Sequence, residues 1–168
     1  MDEREAIKLA RRYFLDERNV YGCAETTFIV LKQAFGLEDP TDSSAAMALN
    51  GGIAYSGGPC GAISGAALAI GMLAERRIDD HARAKVVARE TIAAVIEAFA
   101  AEHGAVDCRT LVGVNLRAPG GHEAFLASGA WREGCMRQIG FVVARLAPLA
   151  DRTAWDRAVR EIEARSAS

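Results

Sequence analysis

Apolar residues recur along this chain every three to four positions, in blocks broken by glycine, and the two-residue alternation of a β-strand is missing. The pattern predicts an all-α, single-domain helical bundle of about seven to nine helices over residues 1–168. A first helix over about 2–16 turns Ile7, Ala10, Phe14 and Leu15 inward. A second, Cys23 to Phe35, stops at Gly36 with Pro40 shortly beyond. Ser43 or Ser44 caps a short helix ending at Asn50-Gly51-Gly52. The longest helix begins at Asp79-Asp80 and reaches about Glu102, with Val87, Ala94, Val95 and Ala98 on one face. Two short helices follow, near Cys108–Val112 and His122–Ser128, then one from Cys135 to Leu149. Asp151 or Thr153 caps a charged last helix carrying Trp155, Val159 and Ile162.

The stretch from Cys60 to Glu75 is built of Gly61, Ala62, Ser64, Gly65, Ala66, Ala67, Ala69 and Gly71. Each interior glycine costs up to about 1 kcal/mol of helix stability relative to alanine, so close backbone approach by neighbours is the expected compensation. This small-residue helix is expected at the centre of the bundle.

All four cysteines stand at predicted helix starts, each leading an apolar stripe. Cys23 precedes Thr27, Val30, Leu31 and Ala34; Cys60 precedes Ser64, Ala67, Leu68 and Gly71; Cys108 precedes Leu111 and Val112; Cys135 precedes Ile139, Val142, Val143 and Leu146. The shared placement lets all four sulfurs meet. Unpaired N–H groups and a partial positive charge at a helix start favour thiolate, the form that binds metals and attacks disulfides. Equally, cysteine is a small hydrophobe that fills core positions. Intervals of 37, 48 and 27 residues leave no close pair, which excludes a C-x-x-C redox motif, a zinc knuckle and a haem-attachment motif. A metal here would join separate elements of a prefolded bundle.

The loop Gly51-Gly52-Ile53-Ala54-Tyr55-Ser56-Gly57-Gly58-Pro59 leads into Cys60-Gly61. Glycine admits positive φ and close approach of amides, so Gly51, Gly52, Gly57, Gly58 and Gly61 are candidate backbone donors to an anion, a thiolate or an inorganic sulfide. No lysine with Ser or Thr follows, so this is no phosphate loop of the Walker kind. Arg109, Arg132 and Arg137 lie near cysteines in sequence and are candidates to favour thiolate. Tyr21, Tyr55, Trp131 and Trp155 read as packing residues, and His81, His103 and His122 lack ligand spacing.

Composition removes several function classes. Hydrophobic residues make up 51% of 168, enough for one sizeable core. Twenty basic residues stand against 22 acidic ones, with no basic run, which argues against nucleic acid. The longest apolar run, Ala62 to Ala74, is too short for the roughly 20 residues that cross a bilayer. The start Met1-Asp2-Glu3-Arg4-Glu5 lacks the marks of a signal peptide, so a cytoplasmic protein is expected. In a reducing cytosol, cysteines more often serve metals or catalysis than structural disulfides.

The chain resembles the redox-active family named for its C…GCAxxG…C…C pattern, which is also similar to a domain of the split-Soret cytochromes. Four ordered blocks carry the resemblance: Tyr21-Gly22-Cys23-Ala24, the glycine loop into Cys60-Gly61-Ala62-Ile63-Ser64-Gly65-Ala66, Cys108-Arg109-Thr110-Leu111-Val112-Gly113, and Cys135 opening a late helix. Asn50-Gly51-Gly52 and Pro59 depart from that pattern, the Trp155 helix is an extension, and the haem-binding part has no counterpart. The resemblance implies redox activity, or a metal or iron–sulfur centre, at the four cysteines.

Three functions follow for test. In the first, Cys23, Cys60, Cys108 and Cys135 ligate an iron–sulfur cluster or another thiophilic metal, since sulfur-only ligation disfavours magnesium and calcium. In the second, an oxidoreductase cycles a disulfide through Cys60 as nucleophile and a second cysteine, Cys23. The third is a helical interaction domain with packed cysteines. A redox partner of unspecified kind is expected, and a homo-oligomer is left open.

Overall fold

The computed structural model describes residues 1–166; residues 167 and 168 of the expected domain lie outside the described residues. Among the described residues eight α-helices form: α1 (Glu3–Phe14), α2 (Cys23–Phe35), α3 (Gly61–Arg77), α4 (His81–His103), α5 (Cys108–Val112), α6 (Gly121–Ser128), α7 (Gly134–Leu146) and α8 (Arg152–Ser166). Short 3-10 turns occupy Ser44–Leu49, Ala130–Arg132 and Ala147–Ala150. No strand forms among the described residues, where Pro59 and Asp107 make an isolated bridge. None of these helices is long and apolar enough to cross a membrane.

Local chemistry sets the helix ends. The Asp2 carboxylate accepts from Glu5 N at 2.8 Å while Glu5 returns an oxygen to Asp2 N at 3.0 Å, a reciprocal capping box. Gly36 ends α2 at φ +62°, with Leu37 N donating to Lys32 O at 3.0 Å. Asp80 caps α4 through Arg83 N, and Asp151 caps α8 through Ala154 N at 2.9 Å, whereas Thr153 has no capping bond. At the Ser44 turn the capping carboxylate belongs to Asp42, because the Ser43 hydroxyl turns inward to Glu25. The helix expected to reach Leu149 stops at Leu146, since Pro148 has no N–H and its ring opposes a further α-turn.

Helix α3 packs between α2 and α4 and also touches α7, the central place expected for a small-residue helix. Glycine makes the approach possible: a Cβ on Gly65 would overlap the carbonyl oxygen of Ala24 in α2. Its inward face, however, is Ala62, Ile63, Ala66, Ala69, Ile70 and Leu73; Ala67 is exposed, and Ser64, Leu68 and Gly71 are only partly covered. The expected stripe was counted from Cys60 as though it were helical. Cys60 is instead the N-cap, with ψ 132°, so helical spacing does not apply from it.

Helix α2 is buried on every side from Ala24 to Lys32, polar residues included. Lys32 Nζ donates to Asp42 O at 3.1 Å and lies over the Phe28 ring. In α1 the buried residues are Ala6, Ala10 and Phe14, with Ile7 and Leu15 partly covered. In α4 the face is Ala84, Val87, Val95 and Phe99, and Ala94 is exposed. The α7 stripe Ile139, Val142, Val143 and Leu146 is buried as expected, as are Trp155, Val159 and Ile162 of α8.

Candidate functional site

Each cysteine sits at a helix start: Cys23 and Cys108 are first residues of α2 and α5, Cys60 caps α3, and Cys135 is second in α7. Backbone bonds lock these starts together. Cys60 N donates to Val106 O at 2.8 Å, and Cys108 N and Arg109 N donate to Gly58 O and Gly57 O at 2.7 and 3.1 Å, so the glycine loop holds α5 against the start of α3. The Cys60 thiol donates to Gln138 Oε1 of α7 at 3.6 Å, in the turn after Cys135.

The start of α2 is braced by a carboxylate absent from the sequence-derived site. Glu25, 8% exposed, accepts from Gly22 N at 3.0 Å, Asn50 Nδ2 at 2.8 Å and Ser43 Oγ at 2.9 Å. Asn50 Oδ1 in turn accepts from Ala24 N at 3.0 Å. Only the three-residue step from Gly22 to Glu25 hinted at this in the sequence; Ser43 and Asn50 are 18 and 25 residues away.

After Asn50 the chain winds left-handed through five successive residues, Gly51, Gly52, Ile53, Ala54 and Tyr55, at φ +64°, +73°, +66°, +49° and +59°. For the three that are not glycine this conformation costs about 1–2 kcal/mol apiece, and strain of that kind concentrates at functional sites. The turn is held by Ala54 N donating to Ala48 O at 2.7 Å and Gly57 N to Gly51 O at 3.0 Å. Gly58 N donates to Gly52 O, so the amides of Gly57 and Gly58 are used inside the loop. Gly51 and Gly61 do turn amides to the Cys23 sulfur, and a Cβ on Gly61 would overlap that sulfur.

All four cysteines are unpaired. Each is close enough to the other three for their charges to interact. Burial pushes the Cys60 thiol well up and raises that of Cys135 too, and it lifts Cys108 to about 11. Cys23 is also raised by burial, against the pull of the Gly51, Ala24, Cys23 and Gly61 N–H groups. The expectation of easily ionised thiols is therefore corrected: loss of water outweighs the helix-start charge, and Cys60 is strongly opposed to ionising. The neighbouring arginines are engaged elsewhere. Arg109 donates to Ser56 O and Asn115 Oδ1, Arg132 covers the Trp131 ring at 4.5 Å, and Arg137 lines a separate recess with His103 that contains no cysteine.

Cys23, Cys108 and Cys135 line a solvent-open cavity of about 240 Å³, and Cys60 is buried outside its lining. Its walls include Phe14, Leu116, Phe125 and Trp131, and Tyr55 and His122 meet at 4.6 Å between centroids. Phe14 was expected to face inward and Tyr55 and Trp131 to pack, but none of these wall residues shares a spacing that ties it to the cysteines. Tyr21 packs edge-on against Tyr13, in keeping with its expected packing role.

A comparison with protein-family models matches residues 21–149 to the family described as "Putative redox-active protein (C_GCAxxG_C_C)". The chain belongs to this family. The match contains all four cysteines and stops short of α1 and α8, which places the Trp155 helix beyond the family's shared part. No curated protein and no solved structure matches the chain.

The donor set of this redox-active family member is thiol alone, which suits iron, zinc or cuprous copper. Among the described residues, no three His, Cys, Asp or Glu side chains converge as a single-ion site requires. A tetrahedral ion with bonds of about 2.3 Å draws its sulfurs to within about 4 Å of one another.

Proposed function

We propose that this protein is a cytoplasmic electron carrier or oxidoreductase in which Cys23, Cys60, Cys108 and Cys135 together hold an iron–sulfur cluster. One observation carries the reading: four unpaired thiols from four helix starts lie within mutual electrostatic reach of one another. Such a cluster supplies one-electron chemistry when bound. Gly51 and Gly61 direct N–H groups to the Cys23 sulfur, which favours negative charge there and raises a bound centre's potential. Glu25 and Asn50 hold the start of α2 in register, and the packed walls keep bulk water from Cys60. Because all four thiols are raised, loading must release their protons and is favoured at higher pH. Unpaired cysteines in this number fit a reducing compartment.

The test is anaerobic purification followed by iron, zinc and acid-labile sulfide analysis. Iron and sulfide present together, and lost together on air exposure, support the proposal. Zinc without sulfide, or a metal-free protein whose thiols cycle to a disulfide, overturns it.

A further inference from the structure

The cavity beside the thiols has a composition that selects its guest. It carries no lysine and no arginine, while the Glu25 carboxylate forms part of its lining. Three of that carboxylate's acceptor positions are already filled, by Gly22 N, Asn50 Nδ2 and Ser43 Oγ, so its charge is fixed in place by the fold. An anion entering would lose water, meet a like charge and find no cation to pair with. The rest of the wall sets Asn19, Asn50 and His122 among aromatic and aliphatic side chains that supply the larger share of its surface, with Phe14 and Trp131 packed edge-to-face at 5.3 Å and Tyr55 against His122. At about 240 Å³ it lies below the roughly 300–1,000 Å³ of drug-sized sites, a size for one or two fused rings.

We propose that this cavity binds a small, flat, uncharged apolar molecule and rejects anionic ones, nucleotide cofactors and thiol tripeptides included. The inference rests on the redox reading only in casting that molecule as the site's substrate. Its place explains why three thiols border the cavity while Cys60 is sealed away. It also gives the strained left-handed turn a role, because that turn sets Tyr55 at the cavity wall and Gly51 beside Cys23.

Two probes with the same ring system and different charge test it: 2-naphthylmethanol and 2-naphthoate, titrated by calorimetry at pH 8 into the anaerobically purified protein, with iron measured on the same sample. Expected are saturable one-to-one binding of the alcohol and at least tenfold weaker binding of the carboxylate. Val20 lines the cavity, is 50% exposed and lies outside any helix, so V20K adds a cation without touching the core. That variant should narrow the ratio several-fold. No saturable binding of the alcohol, equal or tighter binding of the carboxylate, a ratio unmoved in V20K, or alcohol binding that appears only after iron is removed would each overturn the proposal. An iron-free preparation that binds the alcohol selectively leaves the cavity assignment standing and counts against the cluster alone.

Discussion

Two glycines six residues apart in α3 predict opposite outcomes for the same substitution. Gly71 has nothing within 4 Å of the position a Cβ would take, so Gly71→Ala adds only the helix preference of alanine, a stabilisation of up to about 1 kcal/mol. Gly65→Ala carries the same propensity gain, but its Cβ would overlap the Ala24 carbonyl and crowd the Ala24 backbone. Backbone cannot rotate aside as a side chain can, so α2 and α3 must part by on the order of 1 Å to restore an ordinary contact. Overpacking of a core costs about 1–3 kcal/mol, and loosened contacts among Ala62, Ala66 and Ala69 add to it. The net expectation for G65A is about 1–3 kcal/mol of destabilisation, a fall in Tm of roughly 2–12 °C for a chain of this length. Because Ala24 follows Cys23 directly, G65A should also lower metal content, which G71A leaves unchanged. Urea denaturation of the reduced, metal-free proteins measures the stabilities. A G65A protein as stable as G71A would show that the α2–α3 crossing is not as close as described and would remove the reason for the small-residue helix.

Gly61→Ala should displace the Cys23 sulfur and cut metal content with far-UV circular dichroism nearly unchanged, since its Cβ meets that sulfur and the adjoining Ala24. Asn50→Ala removes the acceptor for Ala24 N and one donor to Glu25, and should cost about 1–2 kcal/mol in thermal or urea unfolding. Alkaline pH should weaken the reduced, metal-free protein: Cys108 stays protonated in the fold to about pH 11, whereas an ordinary thiol ionises near 9.0. Between those values the unfolded chain holds fewer protons, so stability is full below pH 9 and falls by up to about 1.4 kcal/mol per pH unit for this thiol, about 3 kcal/mol in all. Urea midpoints across pH 8–11 should therefore fall less steeply in Cys108→Ala than in the wild type; identical slopes would contradict the burial of that thiol.

Helix starts were legible because glycine, aspartate and proline mark them, and the α7 face was legible because the branched aliphatic residues Ile139, Val142, Val143 and Leu146 recur at helical spacing. The face of α3 was not. Alanine and glycine lie on all its sides, so apolar periodicity carries no direction, and the position of Cys60 as cap rather than first turn moved the count. The brace at Glu25 was hidden for another reason. Its partners Ser43 and Asn50 are brought to it by the turn after α2, and a buried carboxylate with three donors looks in sequence like any surface glutamate. The left-handed turn was half visible: Gly51 and Gly52 announce positive φ, but Ile53 and Tyr55 argue against it, and only the fixed ends of the loop impose it. The four cysteines emerged as one group from their shared placement, while the direction of their acidity did not, because burial is a property of the packed bundle.

The central claim is that four thiols on four helix starts act as one centre, and the most direct test compares iron and sulfide per chain with far-UV circular dichroism for the wild type and for Cys23→Ser, Cys60→Ser, Cys108→Ser and Cys135→Ser, all purified anaerobically. Each replacement should remove most of the iron and sulfide while helical content stays near that of the wild type, because the bundle packs without the cofactor. Full iron and sulfide in the Cys60→Ser protein would contradict it.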